Sequence, residues 1–111
     1  MNYENILMHY LMSMLWTEEL DNEYNVDDVD ETTKEKAMGD ICFFCSEAKE
    51  LLMDWPDAHI GHNFWLTRNG HGTGFWDRNE YPNGEAITAI VDKSYRKEIN
   101  VFVQDGKVFA E

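Results

Sequence analysis

The sequence predicts one α+β domain built from two N-terminal helices, a β-hairpin, a short helix and a C-terminal β-hairpin. Three observations support this prediction: the chain has 111 residues, 43% of them are apolar, and the apolar spacing changes along the chain. Helical spacing prevails in the first half, whereas aromatic and alternating patterns prevail in the second. We therefore expect a single domain spanning residues 1–111, with helices packed on one face of a small antiparallel sheet.

The first half of the chain predicts two helices. The first covers residues 4–16, with an apolar stripe broad enough to bury most of it: Leu7, Tyr10, Leu11, Met14 and Leu15, widened by Met8, Met12 and Trp16. We interpret the methionines as core filler, although methionine also suits an adaptable binding surface. The second helix begins at an N-cap on Thr32 or Thr33, ends near Asp54 before Pro56, and is roughly 34 Å long.

Residues 17–31, between these helices, contain eight Asp or Glu residues and no base. This composition predicts a solvated linker, loop or short irregular segment. Residues 1–57 carry fifteen acids and three lysines, whereas residues 58–111 carry seven acids and six bases, so almost all of the net charge of −13 lies in the first half. Such charge disfavours direct binding to nucleic acid or anionic membranes and favours a basic partner. The plainer alternative is that the acidity only confers solubility.

The second half predicts a change to strands and turns. In chain order the predicted elements are strands at 62–67 and 73–78, a turn at 81–84, a helix at 85–95, and a strand carrying Ile99, Val101 and Val103 that turns at Asp105–Gly106 into Val108 and Phe109. The resulting order is α-α-β-β-α-β-β.

Residues 61–78 read Gly-His-Asn-Phe-Trp-Leu-Thr-Arg-Asn-Gly-His-Gly-Thr-Gly-Phe-Trp-Asp-Arg. This stretch resembles GHDFWLTRNGHGAGFWDR, a motif of a family of small uncharacterised bacteriophage and prophage proteins. Asn63 and Thr73 stand where the family usually has Asp and Ala. Residues 9–11 and 15–16 are also similar to the family's N-terminal helix. The resemblance implies a phage origin and a host-cell cytoplasmic setting, but no particular reaction.

Two interpretations of this motif remain open. In the structural interpretation, its glycines form a tight loop, its Phe-Trp pairs pack on both faces of a hairpin, and Arg68 pairs with Asp77. In the functional interpretation, the loop binds an anion, nucleotide or other small molecule through Trp65, Arg68, Asn69, His71, Trp76 and Arg78. We favour the structural interpretation, because a Gly-rich loop without a strand-loop-helix context is a weak signal.

The sequence also offers residues suited to a metal site. Cys42, Cys45, His59 and His62 approximate the spacing of a Cys2His2 zinc site. However, Cys45 falls on the apolar face of the second helix, so buried, reduced cysteines are the favoured interpretation, and we expect no metal or cofactor. No serine lies in the context of a nucleophile elbow, and Asn63 removes an acid that could have paired with His62. We therefore expect the protein not to be an enzyme.

These observations favour a phage-type binding protein, located in the host cytoplasm, that inhibits a host or anti-phage defence factor. As a mimic of nucleic acid, it would bind a basic, nucleic-acid-binding protein through Glu18, Glu19, Asp21, Glu23, Asp27, Asp28, Asp30, Glu31, Glu35, Asp40 and Glu47. One alternative is a module that sequesters a small molecule or nucleotide with the Gly-rich hairpin of residues 68–78. A second is a phage structural or assembly protein that forms homo-oligomers through its Met-rich first helix.

Overall fold

The structure is a computed structural model that describes residues 1–71 and 74–111, and it is mainly α-helical. In chain order its elements are α1 (Tyr3–Thr17), a 3-10 turn (Val26–Asp28), α2 (Glu31–Glu47), α3 (Asp57–Arg68), a second 3-10 turn (Phe75–Asp77), α4 (Gly84–Ser94), β1 (Val101–Gln104) and β2 (Lys107–Ala110). The predicted α+β architecture is therefore wrong. The described part of the chain contains four α-helices and one two-stranded antiparallel sheet, and none of these helices is long and apolar enough to cross a membrane.

Among the described elements, α1 and α3 share the most extensive contact. The side chain of Asn2 caps α1 by accepting a hydrogen bond from the backbone N–H of Asn5, which satisfies one free amide of the first turn. Gly61 brings the two helices together, because a Cβ atom there would overlap the carbonyl of Ile6 and lie 2.9 Å from the amide of Tyr10. The helix predicted at residues 4–16 is confirmed, because α1 spans Tyr3–Thr17.

α3 replaces the first predicted strand at residues 62–67. Ile60, Phe64 and Arg68 recur at helical spacing and are buried, and α3 contacts both α1 and α4. A helix enclosed on most sides carries aromatic residues without a clear polar face, so the β-compatible composition of this stretch was misleading. In the second predicted strand, residues 75–77 form a 3-10 turn. The predicted loop and that strand also include residues 72 and 73, which lie outside the described residues.

α2 begins and ends earlier than the sequence predicts. The N-cap is Asp30, not Thr32 or Thr33. The carboxylate of Asp30 accepts hydrogen bonds from the backbone N–H groups of both threonines. After Glu47 the chain turns, whereas a helix continued to residue 54 would extend roughly 10 Å farther in a straight line. The turned chain buries Leu52 and Trp55, and the Trp55 indole N–H donates to the carbonyl of Pro82 at 2.7 Å.

The C-terminal part of the chain follows the predictions closely. The turn at 81–84 and the short helix are confirmed, with α4 at Gly84–Ser94. In the hairpin, Asp105 and Gly106 have φ angles of 53° and 75°, as a two-residue type I′ turn requires. β2 is tied to the start of α2, since Asp30 donates its backbone N–H to the carbonyl of Val108 at 2.9 Å. These contacts hold the C-terminal hairpin against the start of α2, where the backbone N–H of Ala110 also donates to the hydroxyl of Thr33.

Candidate functional site

Residues 18–30, which we call the acidic segment, follow α1 as an ordered connection to α2. Its apolar side chains face the protein: Leu20, Tyr24 and Val26 pack against the core, and Val29 is buried. The backbone N–H of Leu20 donates to the carbonyl of Leu15 at 2.8 Å, and that of Tyr24 donates to Leu20 at 2.9 Å. The prediction of a solvated irregular segment is correct for most of its acids, but this packing fixes its path along the surface.

Five acids of this segment are exposed, namely Glu18, Glu19, Asp21, Glu23 and Asp27. Within residues 1–71 and 74–111, none of the five forms an ion pair. Their carboxylates are therefore available to an external partner. Because the segment has no base, their charges add along one stretch of surface.

Three other predicted acids serve the fold. Asp28 accepts a hydrogen bond from the backbone N–H of Asn25 at 2.9 Å, which completes a capping box. Asp30 caps α2 as described above. Asp40 lies 3.0 Å from the guanidinium of Arg68 and is half-buried. These three acids are poor candidates for contact with a partner, because their carboxylates are already engaged.

The remaining predicted acids lie on α2, and all three are exposed. Glu31 forms a long ion pair of 3.5 Å with Lys34 one turn later, which contributes little at the surface. Glu35 extends the acidic surface one turn along the helix. Glu47 lies at the far end of α2 and accepts a hydrogen bond from the hydroxyl of Tyr95 at 3.0 Å. Burial and this contact with Glu47 raise the pKa of Tyr95 to about 12.

One face of α1 is apolar and exposed, contrary to the prediction that most of the helix is buried. Met8, Met12 and Trp16 are 41%, 48% and 57% exposed, while Met14 lies in the core. These three side chains form one wall of a groove of about 530 Å³, and the acidic segment forms the other. Residues four apart on a helix lie on the same face, so this exposed stripe could have been recognised beside the buried one. We call this feature the α1 groove.

The residues of the predicted small-molecule site do not converge. Trp65 is fully buried, and its indole N–H donates to the hydroxyl of Thr17 at 2.8 Å. Asn69 donates its amide N–H to the carbonyl of Trp65 at 2.9 Å and accepts from the backbone N–H of Ile99 at 2.8 Å, which fastens the chain after α4 to the end of α3. Both side chains therefore have structural roles.

Arg68 is the most deeply buried charged group of that predicted site. It is 6% exposed, donates to the hydroxyl of Tyr10 at 3.2 Å, and pairs with Asp40, so the predicted pairing with Asp77 is wrong. Its guanidinium carbon also lies 5.2 Å from the centre of the Phe64 ring. Burial raises the pKa of Tyr10 to about 12. Arg68 thus joins α1, α2 and α3 in the core.

The other three residues of that site reach the surface in two separate places. His71 is exposed and lines a shallow depression with Trp16, Glu19 and Asp21, beside the acidic segment. Trp76 is 50% exposed and lines a different depression together with Arg78. The structure thus brings His71 to the acidic surface and separates it from Trp76 and Arg78.

The four predicted metal ligands are divided between α2 and α3. In residues 1–71 and 74–111, no three His, Cys, Asp or Glu side chains are placed to hold a metal ion. Cys45 is buried, and burial raises the pKa of its thiol to about 12. The ring of His59 packs against Tyr81, with ring centres 5.1 Å apart.

His62 forms a contact that the sequence did not indicate. Its Nδ1 atom lies 2.5 Å from the hydroxyl of Ser13, which is buried on α1. A Ser–His pair can serve as nucleophile and base, but the Ser13 hydroxyl also donates to the carbonyl of His9 at 2.9 Å, four residues earlier on its own helix. The pair is therefore best explained as a hydrogen bond between α1 and α3.

The motif resembling phage proteins likewise supplies mainly packing. Comparison of the chain with protein-family models, curated proteins and solved structures gave no match.

Proposed function

We propose that this protein is a non-enzymatic inhibitor that binds a basic, nucleic-acid-binding protein through its acidic segment. One observation carries the proposal: five exposed carboxylates lie on one ordered stretch of chain that contains no base. A basic groove that binds phosphates would attract such a surface electrostatically and at long range. The charge that favours this partner also repels nucleic acid itself, so direct binding to nucleic acid is not part of the proposal.

The ordered backbone of the acidic segment supports this function. Packing of Leu20 and Val29, together with the capping box at Asn25, fixes the segment before any partner arrives. A surface held in this way loses less conformational entropy on binding than a disordered acidic tail would. Rigid placement of charge is also a feature of the nucleic acid that such a surface would imitate.

The charge continues from the acidic segment onto α2. Glu31 and Glu35 lie one turn apart on this helix, about 6 Å along its axis. These two carboxylates carry the negative charge of the acidic segment onto α2, where Lys34 and Lys36 also lie, at an interval similar to that of phosphates along a nucleic-acid backbone. Mimicry of nucleic acid is therefore the mechanism that we propose.

The setting that we propose follows from the sequence of residues 61–78. Their similarity to the phage and prophage motif suggests that the protein acts in the cytoplasm of an infected bacterium. The partner would then be a host factor or an anti-phage defence factor that binds nucleic acid. The fold buries residues 63–68 of this motif, whereas His71 lies beside the acidic segment at the proposed interface.

The experiment compares two variants with equal changes in charge. The acid-neutral variant carries Glu18→Gln, Asp21→Asn, Glu23→Gln and Asp27→Asn, which spares the capping residues Asp28 and Asp30. The charge control removes the same number of exposed acids from the second half through Glu80→Gln, Glu85→Gln, Glu98→Gln and Glu111→Gln.

Each protein is immobilised and exposed to nuclease-treated bacterial lysate at about 50 mM and about 500 mM salt. We expect the wild type and the charge control to capture basic nucleic-acid-binding proteins at low salt, and to release them at high salt or on addition of duplex DNA. If exposed pairs contribute about 0.5 kcal/mol each, the acid-neutral variant should bind roughly thirtyfold more weakly. Equal capture by the acid-neutral variant would contradict the proposal.

A further inference from the structure

The α1 groove adds an apolar surface to the acidic one. Met8, Met12 and Trp16 repeat at intervals of four residues and are each about half exposed, although the opposite face of α1 is buried. Tyr24 and Val26 of the acidic segment line the opposite wall of the groove, and Leu15 also lines it. The volume of about 530 Å³ is comparable to that of known ligand clefts.

The edges of this groove are acidic. Asp21 and Asp27 line it directly, and Glu18, Glu19 and Glu23 are exposed on the same segment. An occupant must therefore offer apolar side chains to the centre of the groove and positive charges to its edge. An amphipathic helix with lysine or arginine beside its apolar face has both properties.

A second copy of this chain fits the groove poorly. Each copy has a net charge of −13, and pairing two α1 grooves would bring Asp21, Asp27 and their acidic neighbours from both copies together. Like charges at an interface oppose association. Charge complementarity thus selects a basic partner over self-association through this face.

We propose that the α1 groove binds a basic amphipathic helix of the partner protein. Apolar side chains of that helix would contact Met8, Met12 and Trp16, and its basic side chains would pair with Asp21 and Asp27. Methionine side chains are flexible and polarisable, so they adapt to different apolar surfaces. This inference rests on the proposed function, because it assigns the acidic segment the same class of basic partner and adds apolar recognition.

Two synthetic peptides of 18 residues test this inference by calorimetry. Both contain leucine and lysine in the same numbers, but only the first repeats leucine at helical spacing, while the second has a scrambled order. We expect the wild type to bind the amphipathic peptide about tenfold more tightly than the scrambled one, equivalent to burying about one additional leucine side chain. Equal affinity for the two peptides would overturn the inference.

Variants show whether the groove is the binding surface. Met8→Gln with Met12→Gln keeps the length and helical preference of both side chains while making them polar, and it should remove the tenfold preference. Phe43→Gln with Met53→Gln changes two apolar residues that are each 75% exposed elsewhere, and it should retain the preference. Loss of the preference in the second pair but not in the first would contradict the proposed location.

The outcomes separate this inference from the proposed function. If both peptides bind the wild type equally and the acid-neutral variant loses both, the acidic partner-binding surface stands and the groove inference fails. If the preference depends on Met8 and Met12 but the acid-neutral variant binds as well as the wild type, the charge-based function fails, and so does the proposed pairing of basic side chains with the acidic edge of the groove. Binding of neither peptide contradicts both. A dimer that Met8→Gln with Met12→Gln dissociates in sedimentation experiments would assign the groove to self-association and overturn the inference.

Discussion

The acidic segment and the motif at residues 61–78 use their side chains in opposite ways. From Gly61 to Arg68 every residue except His62 is buried, whereas Val29 is the one buried residue of the acidic segment. The motif is rich in aromatic residues and glycine, which close-packed helices can use at their contacts. The acidic segment keeps a few apolar anchors and directs its charge to solvent. A distinctive sequence motif can thus maintain the fold while a run of ordinary acids forms the exposed surface that we propose as the binding site.

Removal of a ring from the motif should have the largest effect. Phe64 is fully buried, and its ring stacks on that of Phe44 with centres 4.3 Å apart. Phe64→Ala should lower the free energy of unfolding by about 4 kcal/mol, since it removes both apolar burial and packing contacts. Phe43→Ala, at a position 75% exposed, should change it by less than about 0.5 kcal/mol in the same urea titration. Similar losses for the two variants would contradict the placement of α3 in the core.

A matched pair of glycines tests the contact between α1 and α3. Gly61→Ala should lower the free energy of unfolding by about 3 kcal/mol, because the added methyl group overlaps the backbone of α1. Gly39→Ala on α2 has nothing within 4 Å of its new methyl group and should raise stability by about 0.5 kcal/mol. The melting temperature in thermal unfolding should therefore fall for Gly61→Ala and rise for Gly39→Ala. A tolerated Gly61→Ala change would mean that the helices pack farther apart.

The Arg68–Asp40 pair tests whether the charge of the motif serves the fold. Arg68→Met should lower the free energy of unfolding by about 2 kcal/mol, less than for a fully buried pair because the Asp40 side chain is one-third exposed. Adding Asp40→Met should recover much of the loss, since no unpaired charge then remains. Urea unfolding followed by far-ultraviolet circular dichroism measures the free energy of unfolding of both variants. Additive losses in the double variant would show that the two side chains do not interact.

The contact between Ser13 and His62 predicts a smaller, pH-dependent effect. Burial, followed by the positive charge of Arg78, lowers the pKa of His62 below its ordinary value of about 6.5. The unfolded chain therefore binds the proton first, so the contribution of neutral His62 to stability is complete above pH of about 6.5 and declines as the pH falls towards its folded pKa. The stability difference between the wild type and His62→Asn should shrink from pH of about 7.5 to 5.5. A difference that grows over this range would contradict the assignment.

The sequence predicted the parts of the fold that depend on local chemistry. The face of α1 containing Leu11 and Met14, the limits of α4 and the turn at Asp105–Gly106 all follow from spacing or turn preference. The aromatic residues of the motif predict strands because they suit a sheet, whereas the helical form of residues 57–68 depends on contacts with α1 and α4. Such long-range contacts are not visible in local composition.

The acidic surface was predictable in composition but not in detail. The count of acids identifies residues 17–31, yet the roles of Asp28 and Asp30 as caps depend on where helical segments begin. The exposure of Met8 and Met12 depends on which side of α1 meets α3. The sequence predicts that the whole apolar stripe of α1 is buried, but a helix can place only part of its circumference against one neighbour. Met8, Met12 and Trp16 therefore stay exposed.

Competition with nucleic acid tests the central claim most directly. A protein captured from lysate is purified and bound to a fluorescently labelled DNA duplex, and the wild type, the acid-neutral variant and the charge control are then titrated while anisotropy is measured. We expect the wild type and the charge control to displace the DNA, with potency falling as salt rises. The acid-neutral variant should displace it roughly thirtyfold less well while keeping the wild-type free energy of unfolding. Equal displacement by the acid-neutral variant, or no displacement by the wild type, would contradict the account.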